Sequence, residues 1–289
     1  MLDDLSTAKI NSLYRDRSIY AKNFLSTGGQ KKVYVGKKND LDVVIKFIPT
    51  ENSSLSRRAE REVKCMNGVN SQHLVQLIDC FEDYIDEQNV VVLIEEYIEG
   101  ESLREIIEKQ PSLNIALNVL ETLLKLLQEF DEKGIIHRDI KPENIIISNN
   151  RGPVLLDFGI ARLLSETSIT ATAFPMAPGT LAYAAPEQIQ NNKDLQNVRT
   201  DLFSCGIVFF ETATGSHPYE SEDYEELIEL ILEGQRKSFK NFFPDIPFVE
   251  ILDELFYKLT NPNLFERYRK PKYALEHLYN VREAINNEE

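Results

Sequence analysis

The sequence contains few cysteines, and those that it has are far apart. Cys65, Cys80 and Cys205 form no C-x-x-C pair and are odd in number. A disulfide framework or a zinc cluster requires cysteines at characteristic paired spacings, so neither kind of site is expected. We therefore expect the protein to work in a reducing compartment.

Long apolar runs are also absent from the sequence. The longest, residues 90–94 and 206–210, are far shorter than the roughly 20 residues that a membrane helix needs. Residues 1–4 have neither the basic start nor the apolar stretch of a secretory signal. These absences predict a soluble, cytoplasmic protein without a membrane segment in this chain.

Basic residues are outnumbered by acidic ones. The 289 residues include 32 Lys plus Arg and 47 Asp plus Glu, which gives a formal net charge of −15. A general nucleic-acid-binding protein needs a net basic surface to neutralise phosphates, so this function is not expected. The negative charge instead favours basic partners through electrostatic steering.

Hydrophobic patterning divides the chain near residues 97–100. Before this point, short stretches have the alternating or β-rich composition of strands, at residues 32–36, 41–47, 74–81 and 90–97. One helical pattern, residues 53–66, interrupts them, and after Gly100 longer helical patterns follow, most clearly at residues 113–133. At roughly 150 residues per domain, the length also predicts about two domains or lobes.

The pattern predicts an α+β protein with a small β-rich N-terminal lobe, which includes one main helix, and a larger helical C-terminal lobe. We assign residues 21–97 to the first lobe and residues 98–285 to the second. Residues 1–20 form an N-terminal extension, which could be a docking helix or a frayed end, and we favour the frayed end.

The segment HRDIKPEN, residues 137–144, contains the polar groups that point most directly to chemistry. A second motif, DFG at residues 157–159, follows it. Each tripeptide recurs by chance, but here both occur in order, and the apolar runs beside them could hold the polar side chains in a cleft. Two acids and an amide placed in this way can hold a divalent cation and orient a hydroxyl, as phosphoryl transfer requires.

These two motifs resemble those of the eukaryotic-type protein kinases, which also occur in bacteria as Hanks-type serine/threonine kinases. The resemblance covers about residues 20–285. It implies a bilobal protein-kinase-like fold, a single kinase domain, and transfer of the γ-phosphate of ATP to serine and threonine hydroxyls of proteins. It also implies Mg²⁺ as the metal that accompanies ATP, with Mn²⁺ as an alternative.

The resemblance implies a role for each of four polar residues in these motifs. Asp139 would accept or orient the proton of the substrate hydroxyl, and Lys141 would contact the γ-phosphate. Asn144 and Asp157 would hold the metal ions that bridge the nucleotide phosphates.

Lys46 ends the segment VVIK, residues 43–46, which resembles the strand that carries the phosphate-binding lysine of the family. A lone ammonium group on a rigid strand can reach the α- and β-phosphates of the nucleotide. Such a lysine needs an anion to hold its rotamer. On the helical pattern of residues 53–66 we assign Glu62 as that anion, and Glu60 is the rival in the same stretch.

The resemblance also assigns residues to an adenine pocket. Glu96 and Ile98 would offer backbone groups to the edge of the adenine. Its two faces would lie between the side chains of Val33, Val44 and Ile146.

Two features of the sequence depart from the family pattern, namely the glycine-rich loop and Glu95. In the glycine-rich loop only the middle glycine, Gly28, is in place, because Ser26 and Lys31 occupy the outer positions. This departure concerns nucleotide affinity more than the reaction, since a Cβ restricts the loop without removing its backbone donors.

Glu95 falls behind the adenine, where the family more often has an apolar residue. Since an unpaired buried carboxylate would be costly, either Glu95 has a polar partner or the alignment is shifted by one residue.

The resemblance places an activation segment at residues 157–187, which ends in the motif GTLAYAAPE. Such a platform for a polypeptide substrate argues against a small-molecule kinase. Thr180 would bridge the catalytic aspartate and lysine. Glu187 would pair with Arg267, and Asp201 would brace the backbone of the catalytic loop.

Several hydroxyls lie within the activation segment, and the candidates for phosphorylation are Thr167, Ser168, Thr170 and Thr172. A phosphate would add about −1.5 to −2 charges, so it needs a basic pocket. The resemblance assigns that pocket to Arg58, Arg138 and Arg162. Our hypothesis is that autophosphorylation at Thr170 or Thr172 orders the segment, with self-association of two molecules if the transfer occurs in trans. The alternative is a solvated linker rich in serine and threonine.

Two further functions stay open at this point. A pseudokinase, acting as a nucleotide-binding scaffold or a regulatory binding module, is motivated by the altered glycine-rich loop and by Glu95. A small-molecule phosphotransferase would share the lobes but is disfavoured by the platform at residues 179–187.

The remaining histidines show no ligand spacing and are interpreted as structural or surface residues, namely His73, His217 and His277.

Overall fold

The computed structural model of the protein describes residues 5–28, 31–50, 68–156, 181–221 and 223–287. Within these ranges the chain forms two compact units. The first contains the described residues up to 99 except residues 71–74, and the second contains residues 71–74 and the described residues from 100 onward. The predicted α+β organisation, with a β-rich first part and a helical second part, is confirmed.

The first unit is built on a five-stranded antiparallel sheet that one helix precedes. Among the described residues its elements are α1 (Thr7–Leu13), β1 (Ile19–Gly28), β2 (Lys31–Lys38), β3 (Leu41–Thr50), β4 (Leu77–Ile85) and β5 (Gln88–Glu96). The helix predicted at residues 53–66 lies outside the described ranges. The strands lie in the order β1-β2-β3-β5-β4, and all neighbours are antiparallel. No sequence pattern predicts β1, because among residues 19–26 of this edge strand only Ile19 and Ala21 are buried.

Helix α1 packs on one face of this sheet. Alternate residues of the strands, such as Val43 and Ile45, point to this face and are buried. Ile10 of α1 is fully buried in the same cluster, and Leu5 and Tyr14, which flank the helix, are nearly so. Burial of an apolar side chain of this size contributes about 1.5–3 kcal/mol, so the helix adds to the stability of the unit.

Polar contacts also fix the N-terminal segment on the sheet. The side chain of Asn11 pairs with the backbone of Ala21, since Oδ1 accepts from the N–H at 2.7 Å and Nδ2 donates to the carbonyl at 3.2 Å. The Tyr14 hydroxyl donates to Asp83 of β4 at 2.8 Å. The expectation of a frayed end is therefore wrong from residue 5 onward. The segment is a docking helix, because its apolar side covers the sheet.

The second unit contains one small sheet and mostly helices. The described part of it forms β6 (Gly100–Ser102), α2 (Leu103–Lys109), α3 (Leu113–Lys133), β7 (Ile145–Ser148), β8 (Gly152–Leu155), α4 (Pro186–Ile189), α5 (Val198–Thr214), α6 (Tyr224–Glu233), α7 (Val249–Leu259) and α8 (Pro271–Asn286). The bounds of α3 confirm the predicted helix. Ser112 caps its N-terminus, and Gly134, with a φ of +67°, ends it in the left-handed conformation that glycine favours.

Helix α5 is the buried centre of the second unit. Apart from Arg199 and Thr214, all its residues are buried, and it packs against α3 and α7. The approach is close at Gly206, where a Cβ atom would lie 2.5 Å from Cγ2 of Thr260. Neither α5 nor any other helix in the described ranges is long and apolar enough to cross a lipid bilayer. A helix enclosed in this way holds the side chains of its first turn in fixed positions.

We predict that Ile10→Ala lowers the free energy of unfolding by about 2–5 kcal/mol, because truncation of a buried isoleucine leaves a cavity. Leu13→Ala is the matched control, since Leu13 lies on the same helix but is 49% exposed. Its effect should stay below about 0.5 kcal/mol. Urea unfolding followed by circular dichroism measures both values. Equally small effects would show that docking of α1 does not stabilise the sheet.

Candidate active site

The predicted catalytic loop lies between α3 and β7 of the second unit. It leads into a 3₁₀ turn, Pro142–Asn144, whose first residue is a proline. The ammonium group of Lys141 lies 2.9 Å from Oδ1 of Asp139. The amide nitrogen of Asn144 donates to Oδ2 and to the backbone carbonyl of Asp139, both at 2.8 Å. Each oxygen of the Asp139 carboxylate therefore has a partner that fixes its orientation.

His137 is buried and connects this loop to the residue that follows β8. Its Nε2 lies 3.1 Å from the carbonyl oxygen of Leu156, and its Nδ1 lies 3.4 Å from the backbone nitrogen of Asp139. Since a carbonyl accepts and an N–H donates, the imidazole carries its proton on Nε2. The N–H of Leu156 also donates to the carbonyl of Asn144 at 2.7 Å. Leu156, which precedes Asp157 in the sequence, is thus fixed to the loop by two hydrogen bonds.

Asp201, in the first turn of α5, holds the backbone of the loop. Its fully buried carboxylate accepts from the N–H groups of His137 and Arg138, both at 2.8 Å. Burial raises the pKa of Asp201, and the hydrogen bonds oppose only part of this shift. The φ of Arg138 is +67°, a conformation that costs about 1–3 kcal/mol and persists only where the surroundings impose it. The predicted bracing contact is confirmed.

Glu187 and Arg267 form a buried ion pair at the end of the predicted platform. The two guanidinium NH groups lie 2.8 and 2.9 Å from the two carboxylate oxygens, and the hydroxyl of Thr200 donates to the same carboxylate at 2.8 Å. Both charged side chains are almost inaccessible to solvent. The pairing predicted from the sequence is confirmed, although the residues lie 80 positions apart.

The first unit carries a second group of predicted residues on one face of its sheet. The register pairs Val33 with Lys46 and Val44 with Glu95, so the four side chains share a face. The ammonium group of Lys46 lies 2.7 Å from Oε2 of Glu95, and the two side chains are only 7% and 3% exposed. Glu95 therefore has a polar partner, which is the first of the two alternatives that the sequence leaves open.

Glu96 and Ile98 lie at the end of β5 and just beyond it. The N–H of Glu96 donates to the carbonyl of Gln76 at 3.0 Å, and its carboxylate accepts from the N–H of Gln76 at 2.9 Å. The N–H of Tyr97 donates to the carbonyl of Asp42 at 3.1 Å. These contacts fix the backbone where β5 ends.

The glycine-rich loop is described only at its two sides. Gly28 ends β1 and pairs with Lys31, and Ser26 pairs with Val33. Ile146, assigned to the adenine pocket, lies on β7 of the second unit. The other predicted residues of the site lie outside the described ranges, and they are Glu62, Asp157, Thr180, Arg58, Arg162, Thr167, Ser168, Thr170 and Thr172.

Sequence reasoning missed one polar network next to the catalytic loop. The guanidinium of Arg104, on α2, lies 2.8 Å from Glu143 of the loop and 2.8 Å from Glu211 of α5, and it also donates to the Tyr183 hydroxyl. That hydroxyl donates to Glu211 in turn. Burial, followed by the charge of Glu211, raises the pKa of Tyr183 well above its usual value, so the hydroxyl stays a donor. The network joins the loop to the platform.

No local sequence signal identifies Arg104. Its partners lie 39, 79 and 107 residues away, and its own surroundings are those of an ordinary amphipathic helix. The signal that could have indicated the network is the acid at Glu211, because a carboxylate within a buried, mostly apolar helix needs a partner.

A protein-family model described as protein kinase domain matches residues 21–277. The serine/threonine-protein kinase PrkC of Bacillus subtilis is 30% identical over 248 residues, which are 83% of this chain and 37% of that protein. The probable serine/threonine-protein kinase PknB of Lactococcus lactis is 28% identical over 268 residues, or 90% and 41% of the two chains. The chain thus spans less than half the length of these curated relatives.

We predict that Asp201→Asn lowers the free energy of unfolding by about 1–3 kcal/mol, because an amide has one acceptor oxygen for two buried N–H groups. The amide protons of His137 and Arg138 should also exchange faster with solvent, as hydrogen exchange measures. Asp223→Asn is the control, since Asp223 also accepts two backbone N–H groups but is exposed at the start of α6, where asparagine is an equally good cap. Equal effects of the two substitutions would contradict the bracing role.

Proposed function

Since the chain belongs to the protein kinase domain family, we propose that it is a serine/threonine protein kinase that uses ATP. Membership of the family implies ATP, a divalent metal ion and protein substrates. The observation that carries the proposal is the cluster of Asp139, Lys141 and Asn144, because phosphoryl transfer depends on positioned charges more than on covalent chemistry.

In the proposed reaction, Asp139 accepts or orients the proton of the substrate hydroxyl. The oxygen of that hydroxyl forms a bond to the γ-phosphorus, the bond from that phosphorus to the bridging oxygen breaks, and ADP leaves. Lys141, 2.9 Å from Asp139, supplies positive charge to the γ-phosphate. Because Lys141 and Asn144 hold both carboxylate oxygens, the aspartate is oriented before the substrate binds.

Asn144 and Asp157 are proposed to hold the two metal ions. The amide nitrogen of Asn144 is directed at Asp139, so its amide oxygen lies on the other side of the amide group. Amide and carboxylate oxygens are hard ligands, which suit Mg²⁺ and also Mn²⁺. We propose Mg²⁺ as the physiological ion, with Mn²⁺ as an alternative. Such an ion, when bound, neutralises charge on the phosphate oxygens.

Lys46 is proposed to bind the α- and β-phosphates. It shares its sheet face with Val33 and Val44, which supports an adenine contact by these two side chains. Glu62 as a further partner of the lysine stays a prediction. The remaining proposed nucleotide contacts are Gly28, Glu96, Ile98 and Ile146.

The proposed substrates are proteins that present serine or threonine, and the net charge of −15 favours basic ones. Autophosphorylation of the activation segment, with self-association if it occurs in trans, belongs to the same proposal. The predicted pocket for that phosphate includes Arg138, whose backbone Asp201 fixes. A cytoplasmic location stays a prediction from the sequence.

A pseudokinase is the second candidate, and the residues that motivate it are Ser26, Lys31 and Glu95. The geometry at Asp139 favours the enzyme, because a scaffold does not require an aspartate that is oriented by a lysine and an amide. A small-molecule phosphotransferase is less favoured, since the buried pair of Glu187 and Arg267 anchors the end of the platform.

We predict that Asp139→Asn and Lys46→Met each reduce transfer of labelled phosphate from Mg-ATP to a generic basic protein by about 100-fold or more. The matched controls are Asp245→Asn and Lys22→Met, which change exposed residues and should leave the rate unchanged. No labelling by the wild type, together with stabilisation by ATP in thermal unfolding, would instead favour the pseudokinase.

We predict that mass spectrometry of the active protein finds phosphate at Thr170 or Thr172, and that isolated Asp139→Asn protein carries none. Mixing that variant with wild-type protein tests transfer in trans, because the variant can be labelled only by another molecule. A wild type that phosphorylates substrates but carries no phosphate between residues 165 and 172 would overturn the hypothesis of autophosphorylation there.

A further inference from the structure

We propose that Glu95 is a positioning residue for Lys46 and holds its ammonium group in place for the nucleotide phosphates. The inference rests on the proposed function, because it assigns a role in the same reaction. It goes further by naming a carboxylate that belongs to the sheet itself, in addition to the predicted partner Glu62.

The register of two neighbouring strands sets the distance between the side chains. β3 and β5 are interior strands, and their ladder covers eight consecutive residue pairs. Lys46 lies opposite Leu93, so Glu95, two residues along β5, is its diagonal neighbour on the same face. Diagonal positions are about 7–8 Å apart, which two long side chains can span. The 2.7 Å contact therefore requires no movement of another element.

Burial explains why both charged groups need polar partners. Leu93, on the same face, and Val33, opposite Lys46 on β2, are themselves buried. In such apolar surroundings an unpaired carboxylate would be costly, and so would an unpaired ammonium group. The pair is therefore held more firmly than an exposed ion pair, in which water competes for both partners.

The consequence for the reaction is a lysine that is ordered before the nucleotide binds. A lysine side chain is flexible and loses conformational freedom when it contacts a phosphate. Glu95 imposes part of that restriction in advance, which lowers the entropic cost of binding. The ammonium group has three N–H donors, so it can contact Glu95 and other groups at the same time.

The same contact could instead withhold Lys46 from the nucleotide. A restraint of this kind would require the pair to open during catalysis. The continuous ladder between β3 and β5 holds the two residues at one separation, so the geometry favours positioning. The two roles predict opposite effects when the carboxylate charge is removed.

The test replaces Glu95 with glutamine, which keeps the shape and removes the charge. We expect Glu95→Gln to raise the KM for ATP about 10-fold and to lower kcat, with the KM for a basic protein substrate unchanged. Partial unfolding would lower only the apparent kcat, because it reduces the amount of active protein. Glu82→Gln is the matched control, since Glu82 is exposed on β4 of the same sheet and should leave all three constants unchanged.

A second variant covers the case in which Glu95→Gln does not fold. Glu95→Asp keeps the charge on a side chain that is one methylene shorter, and it should raise the KM for ATP by less than glutamine does. If glutamine prevents folding, as circular dichroism would show, a several-fold higher KM in Glu95→Asp supports the proposal. An unchanged KM in that variant overturns it.

The proposal would be overturned if folded Glu95→Gln had an unchanged or lower KM for ATP, or a higher kcat. A higher kcat would mean that Glu95 restrains the lysine. Calorimetric titration with Mg-ATP separates this result from failure of the proposed function. If the wild type binds ATP without transferring phosphate, about 10-fold weaker binding by Glu95→Gln supports the role of Glu95, and equal binding overturns it. A wild type that does not bind ATP overturns both proposals.

Discussion

The candidate site depends on one buried carboxylate, that of Asp201. It sits on a helix that is enclosed on all sides, and it accepts from two consecutive backbone N–H groups of the catalytic loop. Without that acceptor the two groups would be buried and unsatisfied, and the left-handed backbone of Arg138 would lose its support. Asp139 follows directly in the sequence. Its backbone position is therefore set by a side chain on a rigid helix, before the contacts of the Asp139 carboxylate itself contribute.

Helix α5 supports the other parts of the second unit in the same way. Thr200 donates to Glu187, Ser204 donates to the carbonyl of Tyr183, and Glu211 accepts from Tyr183. These three helix residues are separated by four and seven positions, so they lie on one face of the helix. The apolar residues bury the helix, and the polar face fixes the segments that carry the site.

The separation of two interacting residues along the chain decides whether the sequence alone predicts their contact. Asp139, Lys141 and Asn144 lie within six positions, and α3 has a complete amphipathic pattern, so both could be predicted. The partners of Arg104 come from elements far apart in the chain, and local periodicity contains no information about them. The sequence does not predict that helix α1 docks on the sheet, because the helix is short and Ile10 is its one buried residue. The contact between Lys46 and Glu95 can be predicted only when the register of β3 against β5 is known.

Helices α1 and α8 extend the packed units beyond the residues that the family match covers. The family match covers residues 21–277, yet Ile10 precedes it, and Leu278 and Val281 of α8, which follow it, are fully buried. A recombinant protein trimmed to the match would lose α1 and the last turns of α8. Apolar surface would then be exposed on both units, and exposed apolar patches promote association between molecules. The boundaries for producing this protein should therefore be taken from its packing, with the flanking helices retained.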